Sequence, residues 1–326
     1  MVIDWEHHYL PEVMWLKKGG KRGESADYYE QGKRLATLHP ELYDIDEHLR
    51  VMDEVGIDVA VLSMAGASDD PEQALEECRI WDDQTAEVVR RYPKRFAGLA
   101  PIPPLGGQRA FDELKRAIET LGLKGAVISA QVGGLPLDAR EIYPFYEVVS
   151  ALKVPLFIHP SGRPLGLDIL EAPYDLSVSV GRELDLIVAT TRLILGGVVD
   201  DFREIKFVIS HKGGGIAALK ERIENHGGSA ASPAAWRGTR NRRPFGECFD
   251  DLYFNLAGHY GGMNSVHCAL TGISPKRMVF GTDYPQNFRE EPLKMKAFIE
   301  NLRRLEIAAA DRAAMLGENA RELLGL

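Results

Sequence analysis

The sequence predicts an α/β fold of the (β/α)8 type, a closed TIM barrel of eight parallel strands surrounded by helices. Short apolar runs alternate with amphipathic stretches about eight times along the 326 residues. Such alternation indicates parallel strands joined by right-handed helical crossovers. The runs are rich in β-branched and aliphatic residues without strict polar alternation, as expected for strands buried on both faces. Eight units favour a closed barrel, whereas five or six would favour an open, doubly wound sheet.

The predicted elements begin with a strand at residues 2–4. A polar segment without a clear period follows at about 15–42, and its length suggests an inserted loop or lid with a function. A helix at 46–55 ends at Gly56, a plausible C-cap, and a buried strand follows at 59–62. The later elements are helix 71–91, strand 96–100, helix 108–121, strand 125–128, helix 142–152, strand 154–158, helix 183–199, strand 206–209, helix 216–225, strand 252–255, helix 263–270, strand 277–280 and helices 292–305 and 311–324. No linker of domain size interrupts them, so residues 1–326 are expected to form a single domain.

The composition indicates a large folded domain without a nucleic-acid-binding surface. Hydrophobic residues make up 45% of the chain, enough for a sizeable core, and the formal net charge is −9. This charge disfavours nonspecific nucleic-acid binding, which requires clustered Lys and Arg against phosphate groups. The basic cluster at 237–243 lies among Gly, Pro and Asn and is predicted to be a loop. An arginine there could contact an anionic substrate or a neighbouring subunit.

Cysteine usage and the absence of long apolar runs favour a cytoplasmic protein. Cys78, Cys248 and Cys268 are widely spaced and odd in number, so no disulfide framework is expected and the thiols are expected to be reduced. No signal peptide is expected ahead of a strand that begins at residue 2. No apolar run approaches the ~20 residues needed to cross a bilayer, so no membrane-spanning segment is expected.

Polar side chains stand at the ends of four predicted strands. Glu6 and His8 follow the first strand, His159 ends the fifth, His211 ends the sixth and Asp283 ends the last. The carboxyl ends of barrel strands meet at one mouth, where the active sites of such barrels lie. Glutamate, histidine and aspartate side chains gathered there can hold a divalent metal. A metal in an open pocket indicates an enzyme.

The spacing of Glu6 and His8 supports a shared orientation. Residues two apart in a strand point to the same side, so His7 is expected to point away, into packing or a supporting hydrogen bond. Taken alone, a Glu-x-His pair is a weak signal of metal binding. No Gly-rich phosphate loop follows the first strand, so a dinucleotide-binding fold has little support.

The other three residues each have a structural alternative. His159 precedes a proline, which favours an extended backbone, but it could equally be a buried histidine bonded to a backbone carbonyl. Asp283 could cap the next helix, although a buried carboxylate without a cation costs several kcal/mol. His211 could begin a helix without any chemical role, or it could move protons beside a metal. The metal prediction depends on finding all of these residues at strand ends.

At these residues the sequence resembles the amidohydrolase superfamily. It is most similar to the branch named for aminocarboxymuconate semialdehyde decarboxylase, which also includes γ-resorcylate and 5-carboxyvanillate decarboxylases. Four further strings carry the resemblance: Met-Asp-Glu-Val-Gly-Ile at 52–57, Arg-Tyr-Pro-Lys-Arg-Phe-Ala-Gly-Leu at 91–99, Pro-Phe-Tyr at 144–146 and Glu-Asn-Ala at 318–320. The resemblance covers almost the whole chain, and its strings are more specific for the family than for a substrate.

The resemblance implies a set of metal ligands and a catalytic histidine. Most superfamily members carry His-x-His on the first strand, and a glutamate in the first position resembles the aromatic-acid decarboxylases of the branch. The implied ligands are Glu6, His8, His159 and Asp283, around one Zn²⁺ or Mn²⁺ ion, with His211 as the catalytic histidine. A second metal is not implied, since no carbamylated lysine is implied to bridge two ions. Lys153 precedes the fifth strand and does not end it. The resemblance also implies a homodimer or larger homo-oligomer.

The function expected from these residues and the resemblance is metal-dependent nonoxidative decarboxylation of an aromatic or unsaturated carboxylic acid. Asp283, or a group near it, would supply the proton, and His211 would relay a proton or stabilise a phenolate. Arg50, by its charge alone, is a candidate for binding a second anionic group of the substrate, and His259 is a candidate for lining the pocket. Hydrolysis of a lactone, ester or amide is the alternative, and hydration of a double bond is another. A non-catalytic metal-binding or ligand-binding protein is a third class, disfavoured by the intact ligand set.

Overall fold

Eight parallel strands form a closed barrel in the computed structural model, which describes residues 1–30, 33–64, 70–170, 174, 176–227 and 238–326, with the backbone alone at 30, 33–36 and 259. The strands are Ile3–His8, Val59–Ser63, Phe96–Gly98 continued by Ala100–Pro101, Ala126–Ser129, Leu156–His159, Phe207–Ile209, Tyr253–Asn255 and Met278–Val279. Neighbours in this order pair in parallel. The last strand returns to the first, because Trp5 N donates a 2.9 Å hydrogen bond to Phe280 O and a parallel bridge joins His7 to Tyr284. The predicted (β/α)8 fold is confirmed.

The helices surround the barrel close to their predicted positions. The main helices are Ile45–Val55, Pro71–Arg91, Gly107–Glu119, Tyr143–Leu152, Arg182–Leu195, Lys220–Gly227, Met263–Leu270 and Pro292–Arg303, and shorter ones are Glu12–Lys17, Leu167–Leu170, Val198–Asp201, Phe245–Asp250, Ala309–Ala313 and Asn319–Leu324. Gly56 ends the first main helix with a left-handed φ of 83°, the geometry that its predicted C-cap role requires. Over the described residues, none of these helices combines the length and apolar character of a membrane crossing.

Three predicted helices differ from the observed ones. The helix predicted at 183–199 ends at Leu195, and Gly197, with a left-handed φ of 80°, separates it from the short helix Val198–Asp201. The helix predicted at 216–225 is α-helical only from Lys220, because residues 216–219 form a tighter 3-10 turn that follows the left-handed residues 211–215, whose φ angles are 47–87°. The helix predicted at 311–324 is divided by a wider π-turn at Ala314–Glu318. That turn brings Gly317 so close to the backbone of Met1 that a Cβ would overlap it.

The segment predicted as a loop at 15–42 contains regular structure. Its strands Ala26–Glu30 and Lys33–Leu38 form an antiparallel hairpin, in which Asp27 pairs with Thr37 through a 2.7 Å hydrogen bond. The loop prediction was wrong here because the sequence of these strands carries no clear apolar alternation to detect. The lid role of the segment stays a prediction.

The barrel interior is filled by side chains from successive strands. Trp5 and Phe157 meet edge to face with ring centroids 6.3 Å apart. The interior cluster consists of Ile3, Trp5, Val61, Ala97, Leu99, Val127, Phe157, Val208 and Val279, joined by Ala320 and Leu324 from the last helix. Because this core leaves no open channel, polar side chains at the carboxyl ends of the strands lie above an apolar floor.

Candidate active site

A β-bulge in the first strand directs its side chains. Asp4 pairs with Ala60 and His7 with Leu62, so three steps along the first strand match two along its neighbour. The extra residue changes the inward phase. Trp5 packs in the barrel interior below, and Glu6 and His8 both lie at the mouth above it.

His7 points away from the mouth, as the spacing predicted. Its Nδ1 atom lies 2.8 Å from Asp4 Oδ2, and its Nε2 atom lies 2.8 Å from His48 Nδ1. Thr282, just before Asp283, donates to Asp4 from its backbone N–H and its hydroxyl. These buried contacts brace the first strand against the last strand and the helix Ile45–Val55.

Glu6 is fully buried, and one of its oxygens is saturated by protein donors. Its Oε2 atom accepts hydrogen bonds of 2.7 Å from Ser210 Oγ and 2.7 Å from Asn255 Nδ2. Both donors stand at the ends of barrel strands. They fix the plane of the carboxylate and direct its second oxygen toward the centre of the mouth.

That second oxygen, Glu6 Oε1, faces three imidazole rings. It lies 3.3 Å from His159 Nε2, 3.7 Å from His211 Nε2 and 3.9 Å from His8 Nε2. It accepts no hydrogen bond from any part of the chain that the structure describes. A buried carboxylate oxygen in this state is unfavourable unless a cation compensates it.

Backbone carbonyls hold the rings of His8 and His159 so that Nε2 of each ring faces Glu6. His8 Nδ1 lies 3.2 Å from Ser63 O, and His159 Nδ1 lies 2.8 Å from Pro160 O. A carbonyl oxygen only accepts, so each Nδ1 carries the proton and donates. A neutral imidazole bonded in this way presents Nε2 as a metal ligand in a fixed orientation.

Asp283 joins the last strand to this cluster. Its backbone is left-handed, with a φ of 64°, and its N–H donates a 2.8 Å hydrogen bond to Glu6 O. Its Oδ1 atom lies 2.8 Å from His8 Nε2, and its Oδ2 atom lies 4.0 Å from His211 Nε2. The structure therefore brings together all five residues that the sequence placed at strand ends.

The charges of the cluster favour a cation at its centre. Burial alone would raise the pKa of Glu6, but the neighbouring imidazoles of His159, His211 and His8 lower it below its usual range. Burial would likewise lower the pKa of His211, but the charge and hydrogen bond of Glu183 raise it to about 9. Positive charge is stabilised here, whether on an imidazolium or on a metal ion.

The donor set fits a divalent metal. Ligand atoms of Glu6, His8 and His159 lie within 4.8 Å of one another, and so do those of Glu6, His211 and Asp283. Carboxylate oxygens and imidazole nitrogens together suit Zn²⁺ and also a harder ion such as Mn²⁺. The uncompensated Glu6 Oε1 atom and the fixed orientations of the histidine rings are the features that such an ion would satisfy.

Three residues of the site were missed by sequence reasoning. Asn255 ends the apolar run of the seventh strand and follows the same rule as His159, so a search of strand ends for amides could have found it. Ser210 directly precedes His211 and could have been found in the same way. Glu183 lies in the first turn of the helix Arg182–Leu195, and no spacing connects it to His211.

The two predicted substrate-binding residues are not brought into this cluster. Arg50 lies on the exposed face of its helix, where its guanidinium donates to Glu47 and Glu54 and its side chain is 56% exposed. This placement gives the substrate-binding role no support, since two glutamates already neutralise the charge in solvent. The side chain of His259 lies outside the described residues, and its role stays a prediction.

The basic cluster at 237–243 is largely neutralised within the chain. Arg240 contacts Asp138, and Arg243 donates to Asp200 and Asp251. Arg242 pairs with Asp201 in the same way, while residue 237 lies outside the described residues. The described arginines thus hold the loop onto neighbouring segments of the chain, which leaves the predicted contact with an anionic substrate without support.

Comparison with known proteins places this chain in a family. The family model described as Amidohydrolase matches residues 3–326. The chain belongs to the amidohydrolase family. This membership confirms the resemblance that was carried by the strings at the strand ends.

Relatives of this amidohydrolase-family protein include two curated decarboxylases. The γ-resorcylate decarboxylase of Polaromonas sp. is 30% identical over 307 residues, which cover 87% of each chain. The 2-amino-3-carboxymuconate-6-semialdehyde decarboxylase of Dictyostelium discoideum is 29% identical over 299 residues, 90% of this chain and 80% of the relative. A solved structure of similar fold, the dihydroxybenzoic acid decarboxylase of Polaromonas sp., contains manganese and the inhibitor 2-nitroresorcinol. It has 24% identity, a TM-score of 0.74 and coverage of 100% of this chain and 97% of that one.

Proposed function

We propose that this amidohydrolase-family protein is a metal-dependent carboxy-lyase that catalyses nonoxidative decarboxylation of an aromatic or unsaturated carboxylic acid. The observation that carries the proposal is the buried Oε1 atom of Glu6, which faces three imidazole Nε2 atoms at 3.3–3.9 Å. Support comes from relatives that align over most of both chains and are named decarboxylases.

Four residues would hold the metal: Glu6, His8, His159 and Asp283. When bound, one divalent ion would act as a Lewis acid toward the substrate carboxylate and an adjacent oxygen. Both Zn²⁺ and Mn²⁺ suit these donors, and the manganese in the Polaromonas decarboxylase of similar fold supports the second. Ser210 and Asn255 would keep the Glu6 carboxylate in the orientation that the ion requires.

The reaction needs a proton at the carbon that carries the carboxylate, and Asp283 is the proposed donor. The C–C bond to the carboxylate then breaks, its electron pair returns to the ring or double bond, and CO₂ leaves. His211 Nε2, 4.0 Å from Asp283 Oδ2, can return a proton to Asp283 through a small rotation or one water molecule. The net change replaces C–CO₂⁻ with C–H and consumes one proton.

The same two residues also define the alternative, hydrolysis of a lactone, ester or amide. Asp283 would then act as a general base toward a water molecule, and His211 would stabilise the developing oxyanion. Hydration of a double bond would use the pair similarly. The separation of 4.0 Å between their side chains suits either reaction, so the assay must distinguish them.

The test is turnover by the manganese-loaded and the zinc-loaded protein on a panel of hydroxylated benzoates. We expect release of CO₂ in a 1:1 ratio with the decarboxylated product, lost on chelation and restored by the metal. Glu6→Gln is the matched control, since it keeps the shape of the side chain and removes the charge that the metal needs. Turnover on lactones or esters without CO₂ release from any acid would contradict the proposal and support the hydrolase.

We also infer that the protein forms a homodimer or a larger homo-oligomer. The described part of the segment 165–188 exposes large apolar side chains: Leu165, Ile169, Tyr174, Val178, Val180, Leu184 and Val188. Apolar side chains concentrated in this way on a surface are typical of an interface. Analytical ultracentrifugation should give a multiple of the chain mass that Val188→Glu shifts toward the monomer, and a monomeric wild-type protein would be the contrary result.

A cytoplasmic location is proposed as well. All three cysteines are free, and Cys78 and Cys248 are buried. Buried free thiols suit a reducing compartment. Fractionation of cells that produce the protein should recover it with cytoplasmic markers, and recovery with secreted proteins would exclude this location.

A further inference from the structure

His211 lies in a strained backbone turn. Residues 211–215 have φ angles of 47–87° and ψ angles of 16–40°, so five consecutive residues are left-handed. The three glycines adopt this conformation readily, but His211 and Lys212 do so at a cost. Lys212 anchors the turn, because its side chain is 2% exposed and its Nζ donates to Leu256 O and Ala257 O at 3.3 and 2.7 Å. Strain of this kind persists only where the surroundings enforce it.

Glu183, at the start of the helix Arg182–Leu195, is one of the residues that surround and hold this turn. Its Oε1 atom accepts a 2.7 Å hydrogen bond from His211 Nδ1, and the two side chains are 18% and 8% exposed. The carboxylate accepts, so Nδ1 carries a proton. His211 Nε2, on the opposite side of the ring, thereby faces the site and lies 3.7 Å from Glu6 Oε1 and 4.0 Å from Asp283 Oδ2.

Two glycines make this contact sterically possible. A Cβ atom on Gly214 would overlap the backbone oxygen of Glu183, so the absence of a side chain lets the turn dock against the helix. A Cβ atom on Gly258 would lie 2.8 Å from His211 Cγ, so the backbone of the seventh-strand loop packs directly on the imidazole. The ring is held against a backbone surface and at its Nδ1 edge.

We propose that Glu183 is the positioning residue for His211. It acts through the imidazole, by keeping the proton on Nδ1 and by fixing the ring so that Nε2 faces Asp283. This assignment rests on the proposed decarboxylase function of the same site. A carboxylate that holds one ring nitrogen sets the tautomer and orientation of a histidine whose other nitrogen takes part in chemistry.

A purely structural role for Glu183 makes different predictions from a positioning role. If the carboxylate only stabilised the turn, its removal would lower the unfolding midpoint and the metal content together with activity. A positioning role instead lowers kcat while KM, metal content and fold change little, because the interaction matters mainly in the transition state. It also changes the protonation pattern of His211 itself, which can be observed without turnover.

The experiment compares wild-type, Glu183→Gln and Glu183→Ala proteins, all loaded with zinc. Long-range ¹H–¹⁵N spectra of ¹⁵N-histidine-labelled protein report which ring nitrogen of His211 carries the proton, and His211→Asn identifies its signals. We expect the proton on His211 Nδ1 to be held and protected from exchange in the wild type, and to be lost from Nδ1 or to exchange rapidly in Glu183→Ala. We expect kcat of Glu183→Ala to fall roughly 10–100-fold, with KM within about 3-fold. Glu183→Gln keeps an acceptor oxygen and should fall less.

Glu221→Gln is the matched control, since it removes one negative charge from an exposed position on the helix Lys220–Gly227. It should leave kcat and the His211 signals unchanged. Unchanged kcat and an unchanged His211 signal in Glu183→Ala would overturn the assignment, and so would parallel loss of metal and fold. If the wild-type protein released no CO₂ from any acid, the proposed function would fail, whereas the spectra would still decide whether Glu183 sets the His211 tautomer.

Discussion

Asp283 Oδ1 lies 2.8 Å from His8 Nε2, across the seam where the last barrel strand meets the first. The backbone crosses the same seam, because Asp283 N donates to Glu6 O and His8 N donates to Tyr284 O at 2.8 and 2.7 Å. Residues far apart in the chain thus meet through the contacts that close the barrel. The site is therefore complete only when the barrel is closed.

Replacement of Asp283 separates the fold from the chemistry. Asp283→Asn keeps the backbone hydrogen bonds of the seam but removes the carboxyl group that is proposed to donate the proton. We expect the circular dichroism spectrum to stay unchanged and kcat on a hydroxybenzoate to fall about 10²–10⁴-fold. Steady-state CO₂ release measures this, and a variant that turned over near the wild-type rate would refute the role of Asp283.

The hydroxyl of Ser210 is predicted to tune metal affinity from outside the ligand set. Ser210→Ala removes one of the two donors to Glu6 Oε2 and leaves Asn255 as the remaining donor of this pair. Residues that orient a ligand typically contribute 10–100-fold to metal affinity, so we expect zinc binding to weaken about 10-fold in a chelator competition. Ser265→Ala is the control, because its hydroxyl donates to Gly262 O. Equal zinc affinities in the two variants would show that Ser210 does not orient Glu6.

Acid is predicted to destabilise the fold through His48, which lies behind the site. Burial, with the charge of His7, lowers the pKa of His48 to about 3, and Nε2–H donates a 2.6 Å hydrogen bond to Glu41 O. The unfolded chain takes up a proton near pH 6.5, whereas the folded chain does not. The stability from neutral His48 is therefore complete above about pH 6.5 and is lost as pH falls toward 3, by at most about 1.4 kcal/mol per pH unit.

Urea denaturation between pH 7.5 and 5 measures this effect. His48→Gln keeps a donor and an acceptor but cannot titrate, so its free energy of unfolding should fall less steeply with acid than that of the wild type. His267→Gln, at an exposed position, should retain the wild-type slope. A slope in His48→Gln as steep as that of the wild type would mean that other groups cause the acid sensitivity.

The fold and most of the site could be predicted because the strands are apolar runs and the site residues follow directly at their ends. His159 and Asp283 each follow a strand that is recognisable from its own composition, and barrel topology then brings the strand ends together. The hairpin at 26–38 could not be predicted in this way, since its sequence contains no apolar run or clear apolar alternation. The bulge before His7 could not be detected from the sequence, because Glu6 and His8 are two residues apart and are expected on the same side with or without it.

Glu183 shows where sequence reasoning fails for a physical reason. Its contact with His211 depends on a left-handed turn that reverses the chain after the sixth strand, and on the close approach that Gly214 permits. Hydrophobic periodicity describes right-handed helices and strands, so it predicted a helix at 216–225 and gave no account of residues 211–215. Three successive glycines were the visible signal, and they allow left-handed backbone without specifying it.

Asp82, a buried acid outside the site, is predicted to lower the stability of the fold at neutral and alkaline pH. Asp82 is fully buried between the helices Pro71–Arg91 and Gly107–Glu119, and its two oxygens accept no hydrogen bond from the described residues. Burial, with the charge of Glu113, raises its pKa well above the usual range. The unfolded chain loses the Asp82 proton near pH 4, whereas the folded chain keeps it to a higher pH. Asp82 therefore lowers the free energy of unfolding progressively as pH rises from about 4 toward its pKa in the folded chain.

Asp82→Asn should remove this penalty, since an amide is neutral at every pH. We expect its free energy of unfolding to exceed that of the wild type by about 1–3 kcal/mol at pH 8 and by less at pH 5, in urea denaturation. The neighbouring Asp83→Asn is the control, because that side chain is 55% exposed and pairs with Arg116, so its effect should be small at both pH values. A variant at position 82 that was less stable than the wild type at pH 8 would show that the carboxylate has a compensating partner in the folded protein.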